Sequence, residues 1–211
     1  MDLQHRITRL TKLEYNDSLS CFEGHCAQQH HNVYPIFYDF LNEVRPSRIL
    51  EIGTALGGFT MFLNIVCKEL EIYTNIRTYD INANNWGNSM IESGIDFRTG
   101  NIFSEDWSTI DQEVVEFIQS DGVTLVLCDG GWKKGEFNVI SNYIKDGDFI
   151  LAHDYAETKE IFENSIKNQV WNWHELCYDD VKEPISRNNL LEYNKEIFAK
   201  AAWLCTQKQV K

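Results

Sequence analysis

The stretch "RILEIGTALGGFT", residues 48–60, decides the fold of this 211-residue chain. Its opening run is mostly apolar and β-branched around one acid, Glu51, and this pattern predicts a buried strand. Three glycines follow within six residues, at positions 53, 57 and 58. Without a Cβ, they allow a tight turn and let the backbone N–H groups of the next helix approach a ligand closely. The stretch therefore predicts a strand, a turn and a helix start arranged around a ligand.

Short apolar runs and longer helical patterns alternate along the rest of the chain. Helical patterns cover residues 31–46, 59–70, 85–94, 108–122 (capped by Ser or Thr), 136–147 and 158–168. Strand patterns cover residues 75–82, 95–103, 123–131 and 148–156, and two strand-like runs, 173–178 and 198–208, flank a polar segment at 179–195. Because parallel neighbours in a sheet need a crossover connection, this alternation predicts an α/β fold with a mainly parallel sheet.

The charge of the chain limits its partners. Its 19 Lys and Arg residues face 32 Asp and Glu residues, which gives a net charge of −13 and a field that repels nucleic acid and anionic membranes. The first residues have no apolar signal-peptide core, and no segment is long and apolar enough to span a bilayer. We therefore expect one globular domain in the cytoplasm with no nucleic-acid or membrane partner; the sequence leaves a homo-oligomer open.

Cysteine and histidine concentrate in one segment, "CFEGHCAQQHH", at residues 21–31. The spacing of Cys21, His25, Cys26, His30 and His31 does not fit a paired Cys-x-x-Cys zinc site. We expect a helix start that lines a cleft rather than a metal site. The six cysteines of the chain are expected to be free thiols, because the sequence shows no secretory signal.

Polar groups stand at the carboxyl end of every predicted strand of the parallel series. In open α/β sheets, ligands bind in the crevice beyond these strand ends. The groups are Glu51 and Gly53 after the first strand, Asp80 after the second, Gly100 and Asn101 after the third, Asp129 after the fourth, and His153 with Asp154 after the fifth. We expect them to form one site.

The glycine spacing separates two classes of nucleotide-binding fold. It is E-x-G-x-x-x-G rather than G-x-G-x-x-G, which disfavours a dinucleotide-binding loop. "EIGTALGG" resembles the first motif of the class I S-adenosylmethionine-dependent methyltransferases. With "LVLCDGG" and "ILAHDY", the chain is most similar to the branch that includes cephalosporin hydroxylase-like proteins and the macrolide and rhamnosyl O-methyltransferases.

This resemblance implies a fold and a domain layout. The fold is a Rossmann-like seven-stranded sheet, mostly parallel with an antiparallel last strand, and with helices on both faces. Residues 1–45 would form an N-terminal helical cap at the substrate crevice, and residues 46–211 the S-adenosylmethionine-binding α/β part of a single domain.

The resemblance also implies cofactor-binding residues. The acid and glycines of the first motif surround the methionine part of S-adenosylmethionine, Asp80 binds the ribose hydroxyls, and Asn101 lines the adenine pocket with Gly100 and Ile102. The full cofactor set is Glu51, Gly53, Thr54, Gly57, Asp80, Asn101 and Asp129. The alternatives are that Gly57 and Gly58 serve helix packing only and that Asp80 is a cap.

A divalent cation and a base are implied in the same way. In the metal-dependent branches, an acid after the fourth strand and a polar pair after the fifth hold the ion, which maps onto Asp129, His153 and Asp154 with Mg²⁺ or Mn²⁺. The chain departs from its sugar-modifying relatives by having Gly131 where they carry an acid, and His153 where an acid or amide is usual.

Two residues are candidates for the catalytic base. Catechol O-methyltransferases carry a lysine near the position of Lys133, and a buried lysine beside a metal can have a lowered pKa and act as a base. The alternative for Lys133 and Lys134 is a solvated helix start. His153 is the other candidate and would need no metal.

Together these features predict an S-adenosylmethionine-dependent methyltransferase acting on oxygen of a small hydroxylated, sugar-containing molecule. The alternatives are a non-catalytic S-adenosylmethionine-binding protein and a nicotinamide-dependent oxidoreductase, which would need the absent G-x-G-x-x-G turn. Segments 25–34 and 178–196 are expected to reach over the crevice. Trp86, Trp107 and Trp132 are expected in the pocket, with burial in the core as the alternative.

Overall fold

A computed structural model describes residues 3–7, 11–12, 19–82 and 87–210. Its helices are α1 (Leu3–Ile7), α2 (Val33–Val44), α3 (Gly58–Glu69), α4 (Gly87–Glu92), α5 (Gln112–Gln119), α6 (Lys133–Ile140), α7 (Lys159–Ile161), α8 (Tyr178–Arg187) and α9 (Lys195–Phe198), with a π-helical turn at Phe162–Ile166 and a 3₁₀ turn at Ala199–Ala201. Its strands are β1 (Thr11–Lys12), β2 (Ser20–Phe22), β3 (His25–Ala27), β4 (Arg48–Ile52), β5 (Asn75–Asp80), β6 (Asp96–Thr99), β7 (Thr124–Cys128), β8 (Phe149–Ala152), β9 (Leu190–Glu192) and β10 (Leu204–Lys208).

The main sheet has seven strands in the order β6-β5-β4-β7-β8-β10-β9. The five strands from β6 to β8 are parallel neighbours, whereas β10 runs antiparallel to both β8 and β9. The predicted seven-stranded sheet with an antiparallel last strand is therefore confirmed. Because the chain reverses its strand order between β4 and β7, a crevice opens beyond the carboxyl ends of these two strands.

The core has two layers, one on each face of the sheet. Alternate residues of a strand point to opposite faces. Ile49 belongs to the layer that packs under α2 and α3, whereas Leu50 belongs to the layer under α5, α6 and α8. All five residues of β4 are buried, which explains its almost continuous apolar sequence. Helices thus cover both faces, as predicted.

The glycine turn after β4 brings three parts of the chain into close contact. Gly53 has φ +93°, and a Cβ on it would lie 2.2 Å from the carbonyl oxygen of Asp129. A Cβ on Gly58 would lie 2.1 Å from the carbonyl oxygen of Cys26. Gly53 therefore lets the chain after β7 pack directly against the turn, and Gly58 lets β3 pack directly against the start of α3.

Residues 20–27 form a hairpin, so the predicted helix start at 21–31 is wrong. Cys21 and Cys26 lie directly opposite each other on β2 and β3 and form a disulfide. Glu23 and Gly24 make the turn, both with positive φ, which suits a two-residue hairpin loop. The prediction of free thiols is wrong for this pair and confirmed for Cys67, Cys128, Cys177 and Cys205.

The strand predicted at residues 173–178 is also wrong. The segment makes only an isolated bridge between Leu176 and Tyr155, because β10 already occupies the sheet position beside β8. Cys177 caps α8, whose N-terminus is closed by a hydrogen bond from the Cys177 N–H to Asp180 (2.9 Å). Helix α8 and strand β9 therefore lie where the polar segment 179–195 was expected.

Helix boundaries differ from the sequence patterns by a few residues at most ends, most clearly in α5, α6 and the segment 158–168. Helix α6 begins at Lys133, three residues before the predicted start. Helix α5 begins after Asp111 rather than after a Ser or Thr cap. The pattern at 158–168 becomes α7 followed by the π-helical turn, with Thr158 accepting a hydrogen bond from the Ile161 N–H (3.1 Å).

The predicted division of the chain at residue 45 stays a prediction. Within the predicted helical cap, the structure describes strands β1 to β3 as well as helices α1 and α2. Of the helices that the structure describes, none has the length and apolarity needed to cross a membrane.

Candidate active site

One cavity of about 830 Å³ opens at the carboxyl ends of β4, β5, β7 and β8. This volume suits a ligand of the size of a nucleoside cofactor and a small second molecule. The cavity is lined by every site residue predicted from the sequence: Glu51, Gly53, Thr54, Gly57, Asp80, Asn101, Asp129, Lys133, His153 and Asp154. The structure therefore brings these residues together around one cavity, and their roles stay predictions.

Glu51 ends the central strand and is almost completely buried beneath the glycine turn. The hydroxyls of Thr60 and Thr78 donate hydrogen bonds to its Oε2, at 2.5 and 2.6 Å. Burial raises the pKa of Glu51 to about 7. The two hydrogen bonds favour the ionised form and lower the pKa, but the effect of burial is larger. A cationic ligand in the cavity would favour the ionised carboxylate.

Asp80 connects the end of β5 to the glycine turn. Its Oδ2 accepts a hydrogen bond from the Ala55 N–H (2.8 Å), and its Oδ1 accepts one from the Asn82 N–H (2.9 Å). A carboxylate has about four acceptor positions, so two remain for a ligand. Asp80 is thus fixed by the backbone, as the cap alternative requires, and also lines the cavity.

Aromatic rings cover the far side of the cavity, near Asn101. Phe103 stacks on Trp107 with 4.3 Å between ring centroids, and Trp107 meets the edge of Trp132 at 4.5 Å. Trp107 and Trp132 both line the cavity, as expected, whereas Trp86 lies outside the described residues. Asn101 itself accepts a hydrogen bond from the Phe103 N–H (3.1 Å), which fixes its side chain at the start of this wall.

Asp129 and His153 form a pair at the ends of β7 and β8, in which the histidine is buried and the aspartate partly buried. The Nδ1 of His153 lies 2.9 Å from Asp129 Oδ1, and the amide of Gln29 donates to Asp129 Oδ2 at 2.6 Å. The imidazole lies between the indoles of Trp171 and Trp203, at centroid distances of 4.7 and 4.9 Å. Its Nε2 has no hydrogen-bond partner within the described part of the chain.

Lys133 is buried among acids at the start of α6. Its Nζ lies 2.9 Å from Asp154 Oδ2, 3.2 Å from Glu175 Oε2 and 4.0 Å from Asp129 Oδ1. Burial disfavours the charge, but the carboxylates of Asp129 and Asp154 outweigh it and raise the pKa of the ammonium group above its ordinary value. This shift is opposite to the one that a lysine base requires, so Lys133 stays protonated.

The predicted metal ligands are adjacent, but their oxygens already have partners. Asp154 accepts hydrogen bonds from Trp171 and from Lys133, and its pKa lies below the ordinary value because His153 and Lys133 outweigh the effect of burial. Across the described residues, no group of three or more His, Cys, Asp or Glu side chains is arranged to hold a metal ion. The donor set as it stands does not fit a divalent cation.

Several residues of the site were not predicted. Glu136 is buried, accepts hydrogen bonds from the N–H groups of Gly130 and Trp132 (3.1 and 3.2 Å), and has its pKa raised to about 7 by burial. Its spacing after the "DGG" turn is the only local signal. Trp171, Glu175 and Trp203 contact the site from distant parts of the chain. Gln29 lies in the segment 25–34 that was expected over the crevice, but its bond to Asp129 was not predicted.

This strand order, with glycines and acids at the carboxyl ends of the central strands, is that of the S-adenosylmethionine-dependent methyltransferases. The chain belongs to the family described as "Rhamnosyl O-methyltransferase/CmcI", whose model matches residues 14–208. The prediction of an S-adenosylmethionine-dependent O-methyltransferase is therefore confirmed, and the family leaves no place for the nicotinamide-dependent alternative.

Solved structures support the fold. An apo structure of CmcI is 14% identical, with a TM-score of 0.65 over 100% of this chain and 85% of that chain. A CmcI structure described with Mg and SAM is 15% identical, with a TM-score of 0.61 over 98% and 84% of the two chains. An O-methyltransferase family protein from Burkholderia thailandensis is 9% identical, with a TM-score of 0.55 over 84% and 56%. No curated protein matches the chain.

Proposed function

We propose that the protein methylates a hydroxyl group of a small hydroxylated, sugar-containing molecule, with S-adenosylmethionine as the methyl donor. The observation that carries this proposal is the single cavity in which the glycine turn, Asp80 and the Asp129–His153 pair meet. Membership of an O-methyltransferase family supports the reaction, and the rhamnosyl name of that family supports a sugar-containing acceptor.

The cofactor would lie along the strand ends. Glu51, Gly53, Thr54 and Gly57 would surround its methionine part, where acids favour a group that carries an ammonium and a sulfonium charge. Asp80 would accept hydrogen bonds from both ribose hydroxyls with the acceptor positions that the backbone leaves free. At the aromatic end of the cavity, Asn101 would face the adenine, and Asp129 would stand beside the reacting end.

His153 is the proposed base. With its proton on Nδ1, the imidazole donates to Asp129 Oδ1 (2.9 Å), which leaves the lone pair on Nε2 as the proton acceptor. Nε2 is buried in this structure, so the acceptor hydroxyl would reach it only after the surrounding side chains shift. The indoles of Trp171 and Trp203 hold the ring in place and exclude water from it. Bound S-adenosylmethionine supplies the methyl group, and alignment supplies much of the rate.

The acceptor would bind at the open end of the cavity. The exposed indoles that line the cavity are Trp173, 50% exposed, and Trp132, 44% exposed, which is also the edge of the aromatic wall. Exposed indoles suit the apolar face of a sugar or another ring, and their N–H groups can meet hydroxyls. These contacts support a ring-bearing, hydroxylated acceptor.

Asp80→Asn tests the cofactor assignment. The variant keeps one acceptor oxygen for the backbone but loses the charge, and a hydrogen bond to a charged group contributes about 1.5–3 kcal/mol, so S-adenosylmethionine should bind about 10- to 100-fold more weakly in calorimetry. Asp96→Asn is the matched control, because Asp96 pairs with Arg77 and Arg98 away from the cavity. Equal affinity in Asp80→Asn and the wild type would contradict the placement of the ribose.

Transfer of labelled methyl groups to a panel of hydroxylated sugars and sugar-containing compounds tests the reaction. Binding of S-adenosylmethionine without transfer to any of them, and without transfer to simple phenols and alcohols, would favour the non-catalytic alternative. Two expectations from the sequence stay predictions: a divalent cation at Asp129, His153 and Asp154, and a cytoplasmic location. A homo-oligomer stays open.

A further inference from the structure

The ammonium group of Lys133 is surrounded by as many acceptors as it has hydrogens. It contacts Asp154 Oδ2 (2.9 Å), Glu175 Oε2 (3.2 Å) and the carbonyl oxygen of Gly130 (2.8 Å). Its side chain is only 9% exposed, so water does not compete for these contacts. Three donors and three acceptors leave Lys133 no hydrogen for a bound acceptor molecule.

The two acids that flank this ammonium group have no oxygen left without a donor. Asp129 accepts from Gln29 and His153, and Asp154 accepts from Trp171 and Lys133. A divalent cation entering between them would have to share these oxygens with their present donors and would lie beside a buried positive charge. Both effects oppose metal binding.

We propose that the Lys133 ammonium occupies the place of a divalent cation between Asp129 and Asp154, so that this methyltransferase works without a metal. This inference rests on the proposed function and deepens it. Lys133 acts as a positioning residue: it bonds Asp154 directly and, from 4.0 Å, its charge partly neutralises Asp129, which orients His153. The cation is thus a part of the chain and is present whenever the protein is folded.

Removing the lysine should convert the site into a metal site. Lys133→Ala would leave Asp129, Asp154 and Glu175 around a space with no cation. Their oxygens are the ligands that Mg²⁺ and Mn²⁺ prefer. The oxygens of Asp154 and Glu175 lie 2.9 and 3.2 Å from the position of the Lys133 Nζ. To bind an ion at that position they would need to move to about 2.1 Å from it, a shift that side-chain rotation allows.

The experiment compares metal binding by the full chain in three forms after treatment with a chelator: wild type, Lys133→Ala and Lys134→Ala. Lys134 is the matched control, because it neighbours Lys133 but pairs with Asp180 on α8 (2.6 Å) and does not line the cavity. Electron paramagnetic resonance of free Mn²⁺ gives the bound fraction without any need for turnover, and thermal melts give a second readout.

Wild type and Lys134→Ala should show no Mn²⁺ site tighter than about 1 mM, whereas Lys133→Ala should bind one ion. The melting midpoint of Lys133→Ala should rise by about 5–10 °C at a hundredfold excess of Mn²⁺ over its dissociation constant. Methyl transfer by the wild type should be unchanged by chelator, and that of Lys133→Ala should fall at least about tenfold and recover with Mn²⁺.

A wild-type Mn²⁺ site that is lost in Asp154→Asn would overturn the inference, as would wild-type transfer that stops with chelator and returns with Mg²⁺. Lys133→Ala that folds but binds no Mn²⁺ would also count against it. If Lys133→Ala does not fold, the wild-type measurements decide alone. Failure of the proposed function is distinguishable, because the wild type would then bind S-adenosylmethionine without transfer, or not bind it, whatever the metal result.

Discussion

Gly53→Ala is expected to destabilise the protein through two separate effects at the glycine turn. The native φ of +93° is a conformation that costs an L-residue about 1–2 kcal/mol. The new Cβ would also lie 2.2 Å from the Asp129 carbonyl oxygen, a backbone atom that cannot rotate away, and overpacking of this kind costs about 1–3 kcal/mol. The free energy of unfolding should therefore fall by about 2–5 kcal/mol.

Gly94→Ala separates the two effects. Gly94 has φ +85°, close to that of Gly53, but a Cβ there would meet no atom within 4 Å. This variant should lose only the conformational part, about 1–2 kcal/mol. Urea denaturation of both variants and the wild type, followed by circular dichroism, measures the difference.

The binding of S-adenosylmethionine gives a second readout. Gly53→Ala should bind it more weakly even under conditions where the variant is fully folded, because the clash moves Asp129 and the turn apart. Gly94→Ala should bind it as the wild type does. Equal losses of stability in the two variants, or wild-type affinity in Gly53→Ala, would refute the reasoning from close packing.

Three further predictions concern the base, a buried acid and the hairpin. His153→Gln should lower the rate of methyl transfer by about 10²- to 10⁴-fold while S-adenosylmethionine affinity in calorimetry stays near that of the wild type; a small change in rate would exclude His153 as the base. The pKa of Glu51 is raised from 4.5 to about 7 in the folded protein, so its contribution to stability should be lost as the pH rises from about 5 to 8, and Glu51→Gln should remove that part of the pH dependence in urea titrations. Replacing both Cys21 and Cys26 by Ser opens a short loop and should lower the free energy of unfolding by about 2 kcal/mol, whereas a reducing agent should have this effect on the wild type only.

Much of the site was predictable because its signals are local. Glu51, Asp80, Asp129 and His153 each follow a buried apolar run, and the carboxyl ends of parallel strands meet at one edge of a sheet. The positions of the strands and the parallel sheet are therefore enough to predict that these four residues lie close together.

The errors arose where distant residues decide the structure. Cys21 and Cys26 lie in a segment that was expected to be a helix start, and only their pairing across the Glu23–Gly24 turn makes this segment a hairpin. The segment 173–178 carries a strand pattern, but β10 occupies the sheet position beside β8.

The ion pairs of Lys133 and the direction of its pKa shift could not be predicted from the sequence for the same reason. Its partner Glu175 lies 42 residues away in the sequence, in the segment that was read as a strand. No local pattern shows that these two side chains meet, and without the pairing a lysine near an acid has no fixed direction of pKa shift. Charge networks of this kind need the three-dimensional structure.

The hairpin also determines which N-terminal residues can be removed from the chain without damage to the site. Cys26 packs its backbone against Gly58, and Gln29, just beyond β3, bonds both Asp129 and the indole of Trp203. A shortened chain that begins at the first long parallel strand would keep every glycine and acid of the family motif. It would nevertheless lose one of the two donors to Asp129 and the side chain that accepts a hydrogen bond from the Trp203 indole beside His153, so the region before α2 has to be kept in any minimal version of the enzyme.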